Sequence, residues 1–128
     1  MERDVTIVPA DADFDAFLRQ HAAARGFKHV VVTRGNHVIG VVRINMSLRR
    51  GVEAAYAGVR FEDIAQRNFT LARANDIMFD VVQRMARRGA SMAIVASTDR
   101  RWHASQIIGV ISKEHVADSV ADSIKPFG

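Results

Sequence analysis

The sequence predicts an α/β fold built from two similar halves, each running strand, helix, strand, strand, helix. Three observations predict it. Short β-branched runs recur in pairs, an apolar helical period follows the first run of each half, and both patterns repeat at a near-constant offset. In the first half, Thr6-Ile7-Val8 leads to Asp11 and then to Phe14, Phe17, Leu18 and His21. Sixty-four positions on, Thr70-Leu71-Ala72 leads to Asn75 and then to Met78, Val81, Val82 and Met85. Both quartets fall at i, i+3, i+4 and i+7, one face of a helix. Asp11 and Asn75 stand where short polar side chains cap the first free N–H groups. Gly26 and Gly89 follow, where a left-handed turn ends a helix.

The repeat continues beyond each glycine. Val30-Val31-Val32 matches Ala93-Ile94-Val95, and Val38-Ile39-Gly40-Val41-Val42 matches Ile107-Ile108-Gly109-Val110-Ile111. Arg34-Gly35-Asn36-His37 reads as a tight hairpin between the first pair of strands. The second pair has a longer connection from Ser97 to Ser105 that carries Arg100, Arg101 and Trp102. Each half ends in a helical pattern, Leu48, Val52 and Tyr56 in one and Val116, Val120 and Ile124 in the other, with Ser112 placed to cap the latter. The expected organisation is a first unit over 1–56, a linker with a short helical turn at Phe61-Glu62-Asp63-Ile64 over 57–67, and a second unit over 68–128. A unit of roughly 55 residues buries little surface alone. Two units packed through their sheets about a pseudo-twofold axis would share one core.

Composition excludes several classes. The 128 residues contain no cysteine, so disulfide frameworks, thiolate metal sites and cysteine nucleophiles are absent. A net charge of +4 is a weak electrostatic footprint, and no nucleic-acid partner is expected. A ferredoxin-like RNA-binding domain would want aromatic residues on its central strands, and Val30 to Val32 and Ile107 to Ile111 offer none. Apolar runs are too short to span a bilayer, and the charged start passes straight into a strand without a signal peptide. The five histidines show no close metal-ligand spacing, and no metal site is expected; His21 reads as a packed or boundary residue. Asp11, Asp13 and Asp15 read as helix-start residues rather than a calcium loop. Arg84, Arg87 and Arg88 read as a solvated helix end, with a neighbouring subunit as the sharper alternative. Trp102 is either a binding residue or folded over the sheet edge. No G-x-S-x-G elbow or triad surrounds Ser91, Ser97 or Ser105, so no enzymatic activity is expected.

Tandem strand-helix-strand-strand-helix units with a Gly-apolar-apolar-Ser step into the last helix resemble the cystathionine-β-synthase (CBS) domain pair, or Bateman module. The most specific pieces are Asp63-Ile64-Ala65-Gln66-Arg67-Asn68-Phe69-Thr70 and Ile108-Gly109-Val110-Ile111-Ser112. Leu48-Arg49-Arg50-Gly51 and Ser112-Lys113-Glu114-His115-Val116-Ala117-Asp118-Ser119 are similar to the cytosolic tail of bacterial CLC-type chloride channels. The first unit lacks the short helix that normally leads into its first strand, which suggests a piece of a longer protein.

The resemblance implies a non-catalytic regulatory module and a homodimer. It implies an upstream transmembrane channel domain and a cytoplasmic location, at the cytosolic face of the inner membrane. No cofactor is required; AMP, ADP or ATP is the implied regulatory ligand, held in clefts between the units. The alternatives are a ligand-independent dimerisation or assembly scaffold and a free-standing CBS-pair signalling protein. The family's phosphate step is Gly, two apolar residues, Ser or Thr, two variable residues, then a ribose-binding Asp. Here Gly109-Val110-Ile111-Ser112-Lys113-Glu114-His115 keeps glycine and hydroxyl but has His115 for the acid. Gly40-Val41-Val42-Arg43-Ile44-Asn45-Met46 keeps only the glycine, which is expected to let a ligand approach the backbone. Arg43 and Lys113 are expected to pair with phosphate, and Glu114 or Asn45 to reach a ribose hydroxyl. The remaining contacts implied by the resemblance fall near Thr6, Val8, His29, Thr70 and Met92.

Overall fold

In the computed structural model, the described residues are 1–48, 57–97 and 106–113. They divide into two compact units, a first of Asp4–Arg67 and a second of Met1–Arg3 with Asn68–Gly128. The predicted helical patterns through Val52 and Tyr56 and through Val116, Val120 and Ile124 lie outside the described residues, as does Trp102.

The first unit holds β1 (Val5–Pro9), α1 (Phe14–Gln20), β2 (Phe27–Arg34), β3 (His37–Asn45), a 3-10 turn at Met46–Leu48 and α2 (Phe61–Ile64). β2 is the centre of a three-stranded sheet, parallel to β1 and antiparallel to β3. Val30, Val31 and Val32 are fully buried, which is why this strand reads as a continuous apolar run rather than an alternation. The two-residue turn Gly35-Asn36 joins β2 to β3, with Arg34 opposite His37 and Gly35 at φ 61°. On one face Val8, Val30, Val32, Val42 and Ile44 pack with Phe14, Phe17, Leu18, Met46 and Phe61.

Asp13 caps α1, its carboxylate accepting from the Ala16 N–H at 3.1 Å. The capping position predicted at Asp11 is thus moved two residues on. The helix also ends earlier than predicted. His21 is its C-cap, with Nδ1 2.9 Å from the Phe17 carbonyl and its ring on Phe17, while Gly26 sits in the bend before β2. α2, predicted as a short helical turn, is tied to the β1–α1 connection by the Phe61 and Glu62 N–H groups, which donate to Ala12 and Ala10.

The second unit holds β4 (Phe69–Arg73), α3 (Met78–Arg88), β5 (Met92–Ala96) and β6 (Ile107–Ser112). Its sheet has the same order, β5 central, parallel to β4 and antiparallel to β6. Ala72, Val81, Met85, Ala90, Ala93, Val95 and Ile111 form its core. Gly89 ends α3 at φ 61°, as predicted. Asn75 does not cap α3; Ile77 holds that position without a side-chain bond, and Asp76 instead accepts from the Arg73 N–H at 2.9 Å.

Candidate functional site

Each unit carries an extra edge segment that the hydrophobic pattern does not reveal. Val41 of β3 and Gln66 exchange backbone hydrogen bonds of 2.9 and 2.8 Å. Val110 of β6 and Glu2 exchange two of 2.9 Å. Both contacts lie beside the glycines of the two equivalent strand steps, Gly40 and Gly109. A Cβ at Gly40 would stand 2.6 Å from Ala65 Cβ and 3.0 Å from the Gln66 carbonyl oxygen. One at Gly109 would stand 2.7 Å from the Glu2 carbonyl oxygen and 2.8 Å from Met1 Cγ. What comes close to these glycines is the chain itself, so their first role is to let an edge segment pair. The available signal was glycine at equivalent places in both halves, with a short segment before each first strand and no strand yet assigned to it.

The candidate residues of the first unit divide between the two sheet faces. Side chains alternate along a strand and register partners share a face. Thr6 and Val8 therefore share the α1 face with Val30 and Val32, and Gly40 is in register with Val32. His29 lies opposite Arg43 on the other face, with Phe27 opposite Asn45. Arg43 stacks its guanidinium 3.5 Å from the Phe27 ring centroid, and the Asn45 carboxamide oxygen accepts from the Ser47 N–H at 3.1 Å. His29 is buried, and Met46 enters the core at 1% exposure. β3 thus runs straight through Arg43 to Asn45, and the position expected for a ribose acid is a packing residue.

The second unit is built differently at this point. β6 ends at Ser112, and the chain turns helical at Lys113. Met92 and Ser112 are register partners on the face turned from α3, with Val110 two residues along on the same face. All three are buried. Thr70 and Gly109 share the α3 face. Thr70 is 1% exposed, and its Oγ1 has no hydrogen-bond partner among the described residues. The Lys113 N–H donates to the Ser91 carbonyl at 2.9 Å, and Lys113 closes an apolar groove of about 190 Å³ with Val82, Met85, Ala86, Gly89 and Ala90. Glu114 and His115 lie outside the described residues.

No family model matches the sequence, and no curated protein matches it. Solved structures do. The CBS domain of the bacterial CNNM/CorC family Mg2+ transporter is similar at TM-score 0.57 and 22% identity, over 91% of this chain and 67% of that one. This is the CBS fold. Staphylococcus aureus OpuCA is similar at TM-score 0.55 and 19% identity, over 92% of this chain and 91% of that one. The cytosolic domain of the Mg2+ channel MgtE in complex with ATP is similar at TM-score 0.56 and 20% identity, over 91% of this chain but 45% of that one. The CBS fold accounts for the two three-stranded sheets and their repeated order. Among the described residues, no helix is long and apolar enough to cross a membrane.

Proposed function

We propose that the chain is a non-catalytic regulatory module that takes AMP, ADP or ATP at the strand-to-helix step of its second unit. In this reading it works as a homodimer on the cytosolic side of a membrane transporter. The observation that carries the reading is the contrast between the two glycine steps. Ser112 ends β6 beside Met92, immediately before Lys113, whereas the first unit continues its strand to Asn45 and turns Met46 into the core. A hydroxyl followed directly by a cation suits a phosphate, through a hydroxyl hydrogen bond and the ammonium charge together. The ATP complex of the similar MgtE domain supports the ligand class, and the transporter origin of two of the similar structures supports the attachment. Within transporters, the runs Leu48-Arg49-Arg50-Gly51 and Ser112 through Ser119 favour a CLC-type chloride channel. A bound nucleotide would bias gating only by its differential affinity for the module's conformations.

The test is thermal unfolding with each nucleotide in turn. Ligand at a hundredfold its Kd adds about 2.7 kcal/mol, or roughly 5–15 °C of melting temperature for a domain of this size. Ser112→Ala should shrink that shift, and Arg43→Ala should leave it unchanged. No shift with any of the three supports the second reading, a ligand-independent assembly scaffold, which the inward Met46 and the Phe27-stacked Arg43 favour.

A further inference from the structure

The two units treat the outer edge of their first strand differently. In the second unit the Ala74 N–H donates inward to the Ala96 carbonyl at 2.9 Å, and backbone bonding directions alternate along a strand. Leu71 and Arg73 therefore turn their backbone groups away from β5, toward an edge on which no strand is paired among the described residues. Side chains meet them there. The Asp76 carboxylate accepts from the Arg73 N–H at 2.9 Å, and the Arg84 guanidinium donates to the Leu71 carbonyl at 2.6 Å. The same carboxylate oxygen and guanidinium nitrogen lie 3.7 Å apart as an ion pair. Arg84, expected at a solvated helix end, is thus laid across the strand. In the first unit the Ala10 N–H donates to Thr33 at 2.8 Å, so Ile7 and Pro9 occupy the places of Leu71 and Arg73. Pro9 has no N–H to offer.

We infer that Asp76 and Arg84 form a clasp that keeps β4 from pairing edge to edge with β4 of a second copy of this chain. A sheet edge offers N–H and C=O groups to any other strand, and proline or charge on that edge prevents the pairing. β1 carries the proline. β4 has Arg73 in its place and so keeps an N–H that needs an acceptor. The surroundings would otherwise admit a strand. Leu71 is 37% exposed, and an open hollow of about 370 Å³ runs along Leu71, Ala72, Arg73, Asp76 and Arg84. An antiparallel pairing about a twofold axis at Leu71 would bring the outward residues of both copies into hydrogen-bonded register. It would also set the two exposed leucines side by side as a cross-strand pair. With the Leu71 carbonyl and the Arg73 N–H already bonded, that pairing must first break the clasp. The inference stands apart from the nucleotide reading and from whatever dimer the wild type forms.

The experiment is sedimentation of the full chain from micromolar to millimolar concentration, for wild type, D76A/R84A and R73P/D76A/R84A, with amide exchange on wild type and D76A. Wild type sets the baseline state of assembly. D76A/R84A is expected to form larger species than that baseline, its association constant raised about tenfold or more. R73P installs the first unit's device on β4 and should return assembly to the wild-type level. In wild type the Arg73 amide should exchange about tenfold or more slowly than the Leu71 amide, which faces the same edge, and D76A should abolish the difference. If D76A/R84A assembles no further than wild type, β4 needs no clasp and the inference falls. If R73P fails to reverse the assembly, the new contact is not the β4 edge, and the inference falls equally. Should the double variant not fold, the wild-type exchange decides: an Arg73 amide as fast as that of Leu71 overturns the clasp.

Discussion

Replacing Gly40 with alanine tests the edge pairing through the sign of its effect. In a strand without a close neighbour, Gly→Ala stabilises by about 0.4–1 kcal/mol, because the unfolded chain loses freedom. Gly40 has no positive φ to oppose alanine, so backbone strain contributes nothing. The opposing effect is steric. The new Cβ would lie 2.6 Å from Ala65 Cβ, a short side chain that cannot swing away, and 3.0 Å from the Gln66 carbonyl oxygen. Relief requires moving the 65–66 segment off β3, which strains or breaks both Val41–Gln66 hydrogen bonds. At about 1 kcal/mol for each bond and about 1–3 for overpacking, the clash outweighs the entropic gain. The expected net change is a loss of about 2–5 kcal/mol. Urea denaturation of wild type, G40A, A65G and G40A/A65G reads it, and the cycle should show favourable coupling because Ala65→Gly removes the nearest atom. Amide exchange at Val41 and Gln66 should speed up in G40A alone. A neutral or stabilising G40A would refute the close approach and the role assigned to the glycine.

Phe61→Ala should cost about 3–5 kcal/mol by urea denaturation, since Phe61 is fully buried with its ring edge-on to Phe14 and Phe17 at 5.3 and 5.2 Å. Asp13→Ala should cost about 1 kcal/mol in the same measurement by removing the α1 cap, whereas Asp11→Ala should cost almost nothing. Gly109→Ala should release the Met1–Arg3 segment and lose about 1–2 kcal/mol, the worth of its two hydrogen bonds. In a chain lacking those three residues the same substitution should be neutral or stabilising.

The duplication was legible because packing writes itself into the sequence with fixed periods. The central strands, the Gly35-Asn36 hairpin, the α2 turn and the Gly89 terminus all stand where the pattern put them. Helix caps were less legible. Several polar residues precede α1, and only backbone geometry selects Asp13 over Asp11. The edge segments were hard to read because Glu2 and Gln66 pair through backbone atoms, so the glycines opposite them are the one side-chain signature the pairing leaves. At the candidate site, residue identity showed that Arg43 and Met46 depart from the expected step. It could not show that β3 continues as strand there while β6 stops at Ser112, because both runs are equally β-branched. The exposed Phe79 was equally hidden, since an apolar residue beside a helical period reads as core until its surroundings are known.

The most direct measurement is an amide NMR titration of the full chain with ATP, ADP and AMP. Saturating shifts concentrated at Met92, Val110, Ser112 and Lys113, with one equivalent bound per chain, are the expected result. Equal shifts at Arg43 and Asn45, or no shift with any of the three nucleotides, would contradict a ligand step confined to the second unit.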